Sequence, residues 1–184
     1  MIPEPCVATI GFFDGVHMGH RYLIQQVKEI AAAKGLRSAL VTFPVHPRKV
    51  MNAAYHPELL TTPEEKTNLL AGTGVDYCLM IDFTPDISRL TAKEFMTQIL
   101  KERYQVKYLV IGYDHRFGHN RSEGFDDYVR YGQAIGIEVI RAQAYTDDIQ
   151  IDTTQSAPVS SSLIRKLLHQ GDVDAAARCL GYEY

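Results

Sequence analysis

Two histidines three residues apart, His17 and His20, sit in the glycine-spaced run Gly11-Phe12-Phe13-Asp14-Gly15-Val16-His17-Met18-Gly19-His20. A run of three hydroxyls and an arginine, Val159-Ser160-Ser161-Ser162-Leu163-Ile164-Arg165, lies far downstream. Both suit the handling of phosphate. The first follows the apolar stretch Cys6-Val7-Ala8-Thr9-Ile10. A buried strand is therefore expected to enter a turn at Gly11 and a helix to open at His20, leaving unpaired N–H donors and partial positive charge beside two imidazoles. Gly19 would let an anion approach the backbone closely. The second run reads as a helix start with Arg165 one turn inside it, and by itself it is a plain serine cap beside a solvated arginine. Paired with the histidine turn, it offers donors from a second helix end.

Other chemistries of these residues lack their usual surroundings. The chain has neither GxxxxGK[ST] nor GxGxxG, which argues against the kinase, ATPase and dehydrogenase phosphate loops. Zinc would need a third ligand near His17 and His20, and Cys6, Cys78 and Cys179 form no CxxC pair, so neither a metal site nor a disulfide framework is expected. The reduced cysteines point to a cytoplasmic protein. A net charge of −3 with no basic block excludes a large nucleic-acid footprint. No apolar run approaches the about 20 residues of a membrane span, and Met1-Ile2-Pro3-Glu4-Pro5 is no secretory leader. Small molecules are the expected partners, with no nucleic acid and no membrane.

The elements that must position the two runs alternate along the chain. Leu23, Val27, Ile30 and Ala31 recur at helical spacing up to Gly35, and residues 38–43 read as a second buried strand ending at Pro44-Val45-His46-Pro47. Residues 48–62 are expected to be irregular and mobile. Thr62-Pro63-Glu64-Glu65 marks a helix start, running to about Ala71. Residues 77–81 form a third strand, and Thr91 with Glu94 caps a helix that buries Phe95, Ile99 and Leu100. Residues 108–111 are a fourth strand, 113–124 a polar loop, 125–134 a helix and 137–140 a fifth strand. The stretch 148–153 alternates like a half-exposed edge strand, and two short helices, 160–170 and 172–180, close the chain. This is the order of an α/β parallel sheet, in which the loops after Ile10, Phe43 and Ile111 all leave strand C-terminal ends, where ligands bind.

Gly-x-Phe-Asp-Gly-Val-His-x-Gly-His with Val-Ser-Ser-Ser-x-Ile-Arg resembles the HxGH nucleotidyltransferase superfamily, and within it the adenylyltransferase module of bacterial bifunctional riboflavin kinase/FAD synthetases. Nicotinate mononucleotide adenylyltransferases share both signatures but usually carry a proline ahead of the histidine, where this chain has Gly15-Val16. The flavin family is also similar at Thr42-Phe43 with His46-Pro47, at Leu60-Thr61-Thr62 and at Ile111-Gly112-Tyr113-Asp114-His115-Arg116-Phe117-Gly118, so the likeness spans nearly the whole chain. Departures are Pro44-Val45, which inverts the middle of the usual Thr-Phe-x-Pro-His-Pro; His115, where Phe is common; and Ser162, which often appears as Thr. Leu180-Gly181-Tyr182-Glu183-Tyr184 is similar to the junction that precedes the riboflavin kinase barrel of the bifunctional enzymes. Residues 1–184 are thus expected to form one adenylyltransferase domain without kinase activity.

The resemblance implies a Rossmann-like parallel sheet flanked by helices and the reaction of ATP with FMN to give FAD and pyrophosphate, by in-line attack of the FMN phosphate on the α-phosphorus. It assigns charge stabilisation to the catalytic residues His17, His20 and Arg165. ATP binding falls to Gly11, Phe12, Asp14, Gly15, His17, His20, Ser161, Ser162 and Arg165, and flavin binding to Phe43, Asp114 and Arg116. Asp14 could equally shape or merely cap the turn, and Phe43 could be a core aromatic closing a strand. Mg²⁺ would bridge phosphate oxygens and keep mostly water ligands, so no protein metal ligand is implied. Competing readings are a related adenylyltransferase with another acceptor, nicotinate mononucleotide or phosphopantetheine, and a non-catalytic flavin- or nucleotide-binding module.

Overall fold

Strand β1 (Cys6–Ile10) is buried at all five residues, as an apolar run covered on both faces must be. A computed structural model describes residues 4–112, 115–146, 149–150 and 156–184. After β1 come α1 (Met18–Lys34), β2 (Arg37–Thr42), α2 (Pro47–Met51), α3 (Pro63–Ala71) and β3 (Tyr77–Met80). Then follow α4 (Pro85–Arg89), α5 (Ala92–Glu94) running on as a π-helical segment, Phe95–Arg103, and β4 (Val106–Ile111). The remainder is α6 (Phe125–Ile135), β5 (Glu138–Arg141), β6 (Ile149–Gln150), β7 (Ser156–Ala157), α7 (Ser161–His169) and α8 (Val173–Leu180). The main sheet is parallel throughout in the order β3-β2-β1-β4-β5. From β1 the chain builds two strands to one side, then crosses back to build two on the other. That reversal opens a crevice between the C-terminal ends of β1 and β4.

Alternation along the strands divides the core. Cys6, Ala8 and Ile10 face Met96, Leu100 and Tyr128 on one side of the sheet. Val7 and Val110 face Val27 and Ala31 of α1 on the other. The flanking strands β3 and β5 are only partly covered, as edges are. This is the α/β parallel sheet expected from the alternation, in the Rossmann-like form that the family resemblance implies.

Several boundaries differ for local reasons. Helix α1 opens at Met18 rather than at His20, because Nδ1 of His17 accepts from the His20 N–H at 3.3 Å and makes His17 the N-cap. Within 48–62 the chain is not wholly irregular: His46 caps α2, its Nδ1 accepting from the Arg48 N–H at 3.2 Å. Thr84-Pro85 starts α4 in the same way. Both repeat the cap-then-proline signal of Thr62-Pro63, which also carries a full capping box with Glu65. Of the expected edge strand at 148–153, Ile149–Gln150 pairs antiparallel with Ser156–Ala157, apart from the main sheet, and the rest lies outside the described residues.

The loop after β4 is fastened from behind. Phe117 stacks on Tyr128 with ring centroids 4.3 Å apart, and the Phe117 N–H donates to the Tyr128 hydroxyl at 3.1 Å. Gly118, at φ 86°, lets the backbone lie against Ala92 while the His119 N–H donates to Leu90 O at 2.8 Å. A β-carbon at Gly118 would stand 2.5 Å from the Ala92 nitrogen and 2.8 Å from its Cα. Gly118→Ala is therefore expected to lower stability by ~2 kcal/mol or more, read as a lower urea midpoint; an unchanged midpoint would contradict this packing.

Candidate active site

The turn leaving β1 is held in backbone conformations that its residues do not adopt freely. Phe13 (φ 57°), Gly15 (φ 78°) and Val16 (φ 41°) are left-handed, and the first and last are not glycines. Such residues cost on the order of 1–3 kcal/mol each and persist only where the surroundings fix them. The surroundings do so here. Phe13 and Val16 are buried, and the Phe13 ring fills the space a β-carbon would need at Gly11, 3.1 Å away. A short 3₁₀ turn, Asp14–Val16, then delivers the chain to α1.

At the start of α1 the rings of His17 and His20 stack, with centroids 3.6 Å apart and planes 15° from parallel. Because Nδ1 of His17 accepts the capping bond, its proton sits on Nε2, which remains a donor. Phe13 meets His20 edge-on at 5.3 Å.

Asp14 is 5% exposed, and its carboxylate accepts from the N–H of Leu60 at 2.9 and 3.1 Å and of Thr61 at 3.3 Å. Arg165 Nη2 completes the set with an ion pair at 2.5 Å. The backbone around it is tied to the same segments. Ser161 Oγ donates to Asp14 O at 3.0 Å, and the Gly15 N–H donates to Thr61 Oγ1 at 3.2 Å. Tyr182 donates to Gly15 O at 2.6 Å, and Arg165 Nε donates to Glu58 O. Asp14 thus joins the histidine turn, residues 58–61 and α7; of its two expected roles, the shaping of the turn is the one these bonds carry out, and His17 does the capping.

Lys66, 2% exposed, plays a matching part that the sequence reading missed. Its ammonium donates to Phe12 O at 3.0 Å and Phe43 O at 2.7 Å and lies 3.7 Å from the Phe12 ring centre. The loops after β1 and β2 are thereby fixed together. Burial pushes the Lys66 pKa down to about 8, against the pull of Asp14. The available signal was a lysine four residues before Leu70 on the buried face of α3.

These parts surround a cleft of about 850 Å³ at the C-terminal edge of the sheet. Of the residues singled out in the sequence, Gly11, Phe12, Asp14, His17, His20, Phe43, Arg116, Ser161 and Arg165 line it. Gly15 is buried behind it and Ser162 is exposed away from it. Asp114 lies outside the described residues. Phe43 packs edge-on to Phe83 at 5.3 Å, as a core aromatic closing a strand would, and also forms part of the cleft wall. Arg48, His115 and Arg121 also line the cleft and were not foreseen. Among the described lining residues there are four arginines and one carboxylate, Asp14, in a chain of net charge −3. Positive potential is therefore concentrated here, which favours a polyanion.

The histidines are not part of that formal charge near neutrality. Burial, opposed by Asp14, pushes His17 down to about 4. Burial, with the neighbouring His17, His115 and Lys66, holds His20 well below its usual value. Burial and Arg121 push His115 down to about 4. Near neutrality the rings are therefore uncharged N–H donors.

A family model described as FAD synthetase matches residues 1–156. The chain is 34% identical over 179 residues to a bifunctional riboflavin kinase/FMN adenylyltransferase of Listeria monocytogenes, covering 97% of this chain and 54% of that protein. It is 32% identical over 181 residues to the Escherichia coli K12 protein of the same name, covering 98% and 56%. The chain spans about half the length of these curated relatives. A crystal structure described as a macrolide-efflux protein from Streptococcus pneumoniae matches with a TM-score of 0.82 and 28% identity, over 100% of this chain and 66% of that one. Among the described residues of this chain, no helix is long and apolar enough to cross a membrane.

Neutral buried histidines make stability depend on pH in a known direction. As pH falls below 6.5 the unfolded chain takes up protons that folded His17 refuses until about 4, so stability declines across that window. The part due to His17 amounts to about 3 kcal/mol. Asparagine keeps a capping oxygen but does not titrate. Urea midpoints of His17→Asn should therefore fall less steeply from pH 6.5 to 4 than those of the wild type; parallel slopes would contradict a neutral, buried His17.

Proposed function

The chain belongs to the FAD synthetase family, and on that premise we propose that it is an FMN adenylyltransferase, converting ATP and FMN to FAD and pyrophosphate. The observation that carries the reading is the stacked His17–His20 pair at the N-terminus of α1, set beside the sheet's switch point in an arginine-lined cleft. A phosphate oxygen of FMN attacks the α-phosphorus of ATP in line, and the bond to the β-phosphate oxygen breaks as pyrophosphate leaves. The protein has to position and to stabilise charge, and no nucleophilic side chain is required.

Nε2–H of His17, the His20 ring and the first N–H groups of α1 approach the phosphates from one side. Arg165 approaches from α7. Its bonds to Asp14 and Glu58 use Nη2 and Nε, which leaves Nη1 for a phosphate oxygen. Phe43 and Arg116, on the loops after β2 and β4, serve the flavin end, with Asp114 assigned there from the sequence alone. Mg²⁺ bound to the substrate phosphates would supply further positive charge there. Among the described residues no three His, Cys, Asp or Glu side chains converge to hold an ion, and Asp14 is engaged by Arg165.

This reading assigns residues 1–184 to one adenylyltransferase domain, and the kinase activity in the relatives' names to the part of those proteins that this chain does not match. Free Cys6, Cys78 and Cys179 suit a cytoplasmic location.

Chromatography of the purified protein with ATP, FMN and Mg²⁺ should reveal FAD and pyrophosphate, with no adduct from riboflavin. Adenylylation of nicotinate mononucleotide or phosphopantetheine in place of FMN would overturn the assignment. His20→Ala should reduce kcat/KM by about 100-fold or more while leaving the circular dichroism unchanged; near-wild-type turnover would remove His20 from the chemistry.

A further inference from the structure

Among the described residues, two buried ring nitrogens have no hydrogen-bond partner: Nδ1 of His20 and Nε2 of His115. Both residues line the cleft. His20 stands in the first turn of α1, after β1, and His115 on the loop after β4. Those strands are neighbours, at the point where the sheet order reverses. The Gly112 carbonyl accepts from the His115 N–H at 3.1 Å. A β-carbon on Gly112 would lie 3.7 Å from Leu23 Cδ2 and 3.8 Å from His115 Cβ, so α1 and the start of His115 both flank Gly112.

An enclosed polar atom without a partner costs about 1–3 kcal/mol. Two of them on one cleft are an arrangement that a ligand accepting from both would relieve. A neutral imidazole can carry its proton on either nitrogen, so each orphan can be the donor. The acceptor that suits the surroundings is an anion, because Arg116 and Arg121 share the loop with His115, and Asp14, the one carboxylate among the described lining residues, is already paired with Arg165. This rests on the adenylyltransferase reading only in that both substrates then carry phosphate.

We propose that His115 is a second phosphate-binding imidazole, which with His20 holds one phosphoryl group of a bound nucleotide between the loops after β1 and β4. Neutral donors bind the anion without prior protonation. Once the anion is in place, its charge favours the protonated rings against the opposing charges of Arg121 near His115 and of Lys66 near His20. The side chain of His115 is therefore a contact to substrate, distinct from the flavin role given to Arg116.

Long-range ¹H–¹⁵N spectra of the imidazoles, recorded on the whole chain, test this without any turnover. ATP with Mg²⁺, FMN, and riboflavin are added in separate arms. The expected result is that one phosphate-bearing substrate moves the His20 and His115 ring signals together and raises the His115 titration from about 4 by a unit or more, while riboflavin does not. The responding arm identifies whose phosphate is held. His115→Phe keeps a ring to pack beside Phe117, whose centroid is 6.3 Å away, and should weaken binding of that substrate about tenfold. Should that variant unfold, the wild-type spectra decide alone. Movement of His20 without His115 in both phosphate arms overturns the contact and leaves the adenylyltransferase reading standing. An equal response to riboflavin overturns the phosphate assignment, and no response of either ring in any arm removes both.

Discussion

A carboxylate removed from water is stable only if its charge and lone pairs are met, and Asp14 is met entirely by groups from distant parts of the chain. Leu60 and Thr61 supply backbone donors, and Arg165 supplies the opposite charge. Breaking such a pair by removing one partner costs several kcal/mol because the other is left buried and uncompensated. The remainder of the site depends on this tie. Helices α7 and α8 form their own apolar cluster with Leu60, around Ile164, Leu167, Ala176 and Leu180. They reach the histidine turn through the Arg165, Ser161 and Tyr182 bonds. Without the Asp14 carboxylate the two helix ends that face the cleft would keep the Ser161 and Tyr182 bonds to the turn's backbone but lose the ion pair between them.

Lys66 repeats the device with the opposite sign. Its buried ammonium gathers the carbonyls of Phe12 and Phe43, and so fixes the second wall of the cleft against the first. Between these two buried charges lies a turn whose Phe13 and Val16 conformations are unfavourable in isolation. The strain is held by packing and by the ties, and its outcome is a helix N-terminus presented at the sheet's switch point. Formal positive charge in the lining resides on the exposed Arg48, Arg116 and Arg121 and on the half-buried Arg165, while the enclosed histidines stay neutral.

Much of this architecture could be read from the chain. The alternation of apolar runs and helical spacing located the five strands of the main sheet, and Thr62, Thr91 and Ser160 were recognisable as caps because capping depends on local sequence. The helix starts at His46-Pro47 and Thr84-Pro85 carried the same local signal and were overlooked. Adjacent serines illustrate a different limit. Ser161 faces Asp14 while Ser162 is exposed, since one residue turns a helix by about 100° and the motif alone does not say which hydroxyl faces inward. The partners of Asp14 and Lys66 are set by tertiary contacts between segments more than 20 residues apart, and no spacing rule encodes them. His115 was visible only as a departure from a related pattern, because an unpartnered nitrogen is a property of packing.

The most direct test of the Asp14 tie is a double-mutant cycle on unfolding free energy with Asp14→Asn, Arg165→Met and the pair. If the ion pair bolts α7 to the histidine turn, the double variant should be more stable than the sum of the single losses implies, with a coupling of about 2 kcal/mol or more. Additivity within about 0.5 kcal/mol would contradict it.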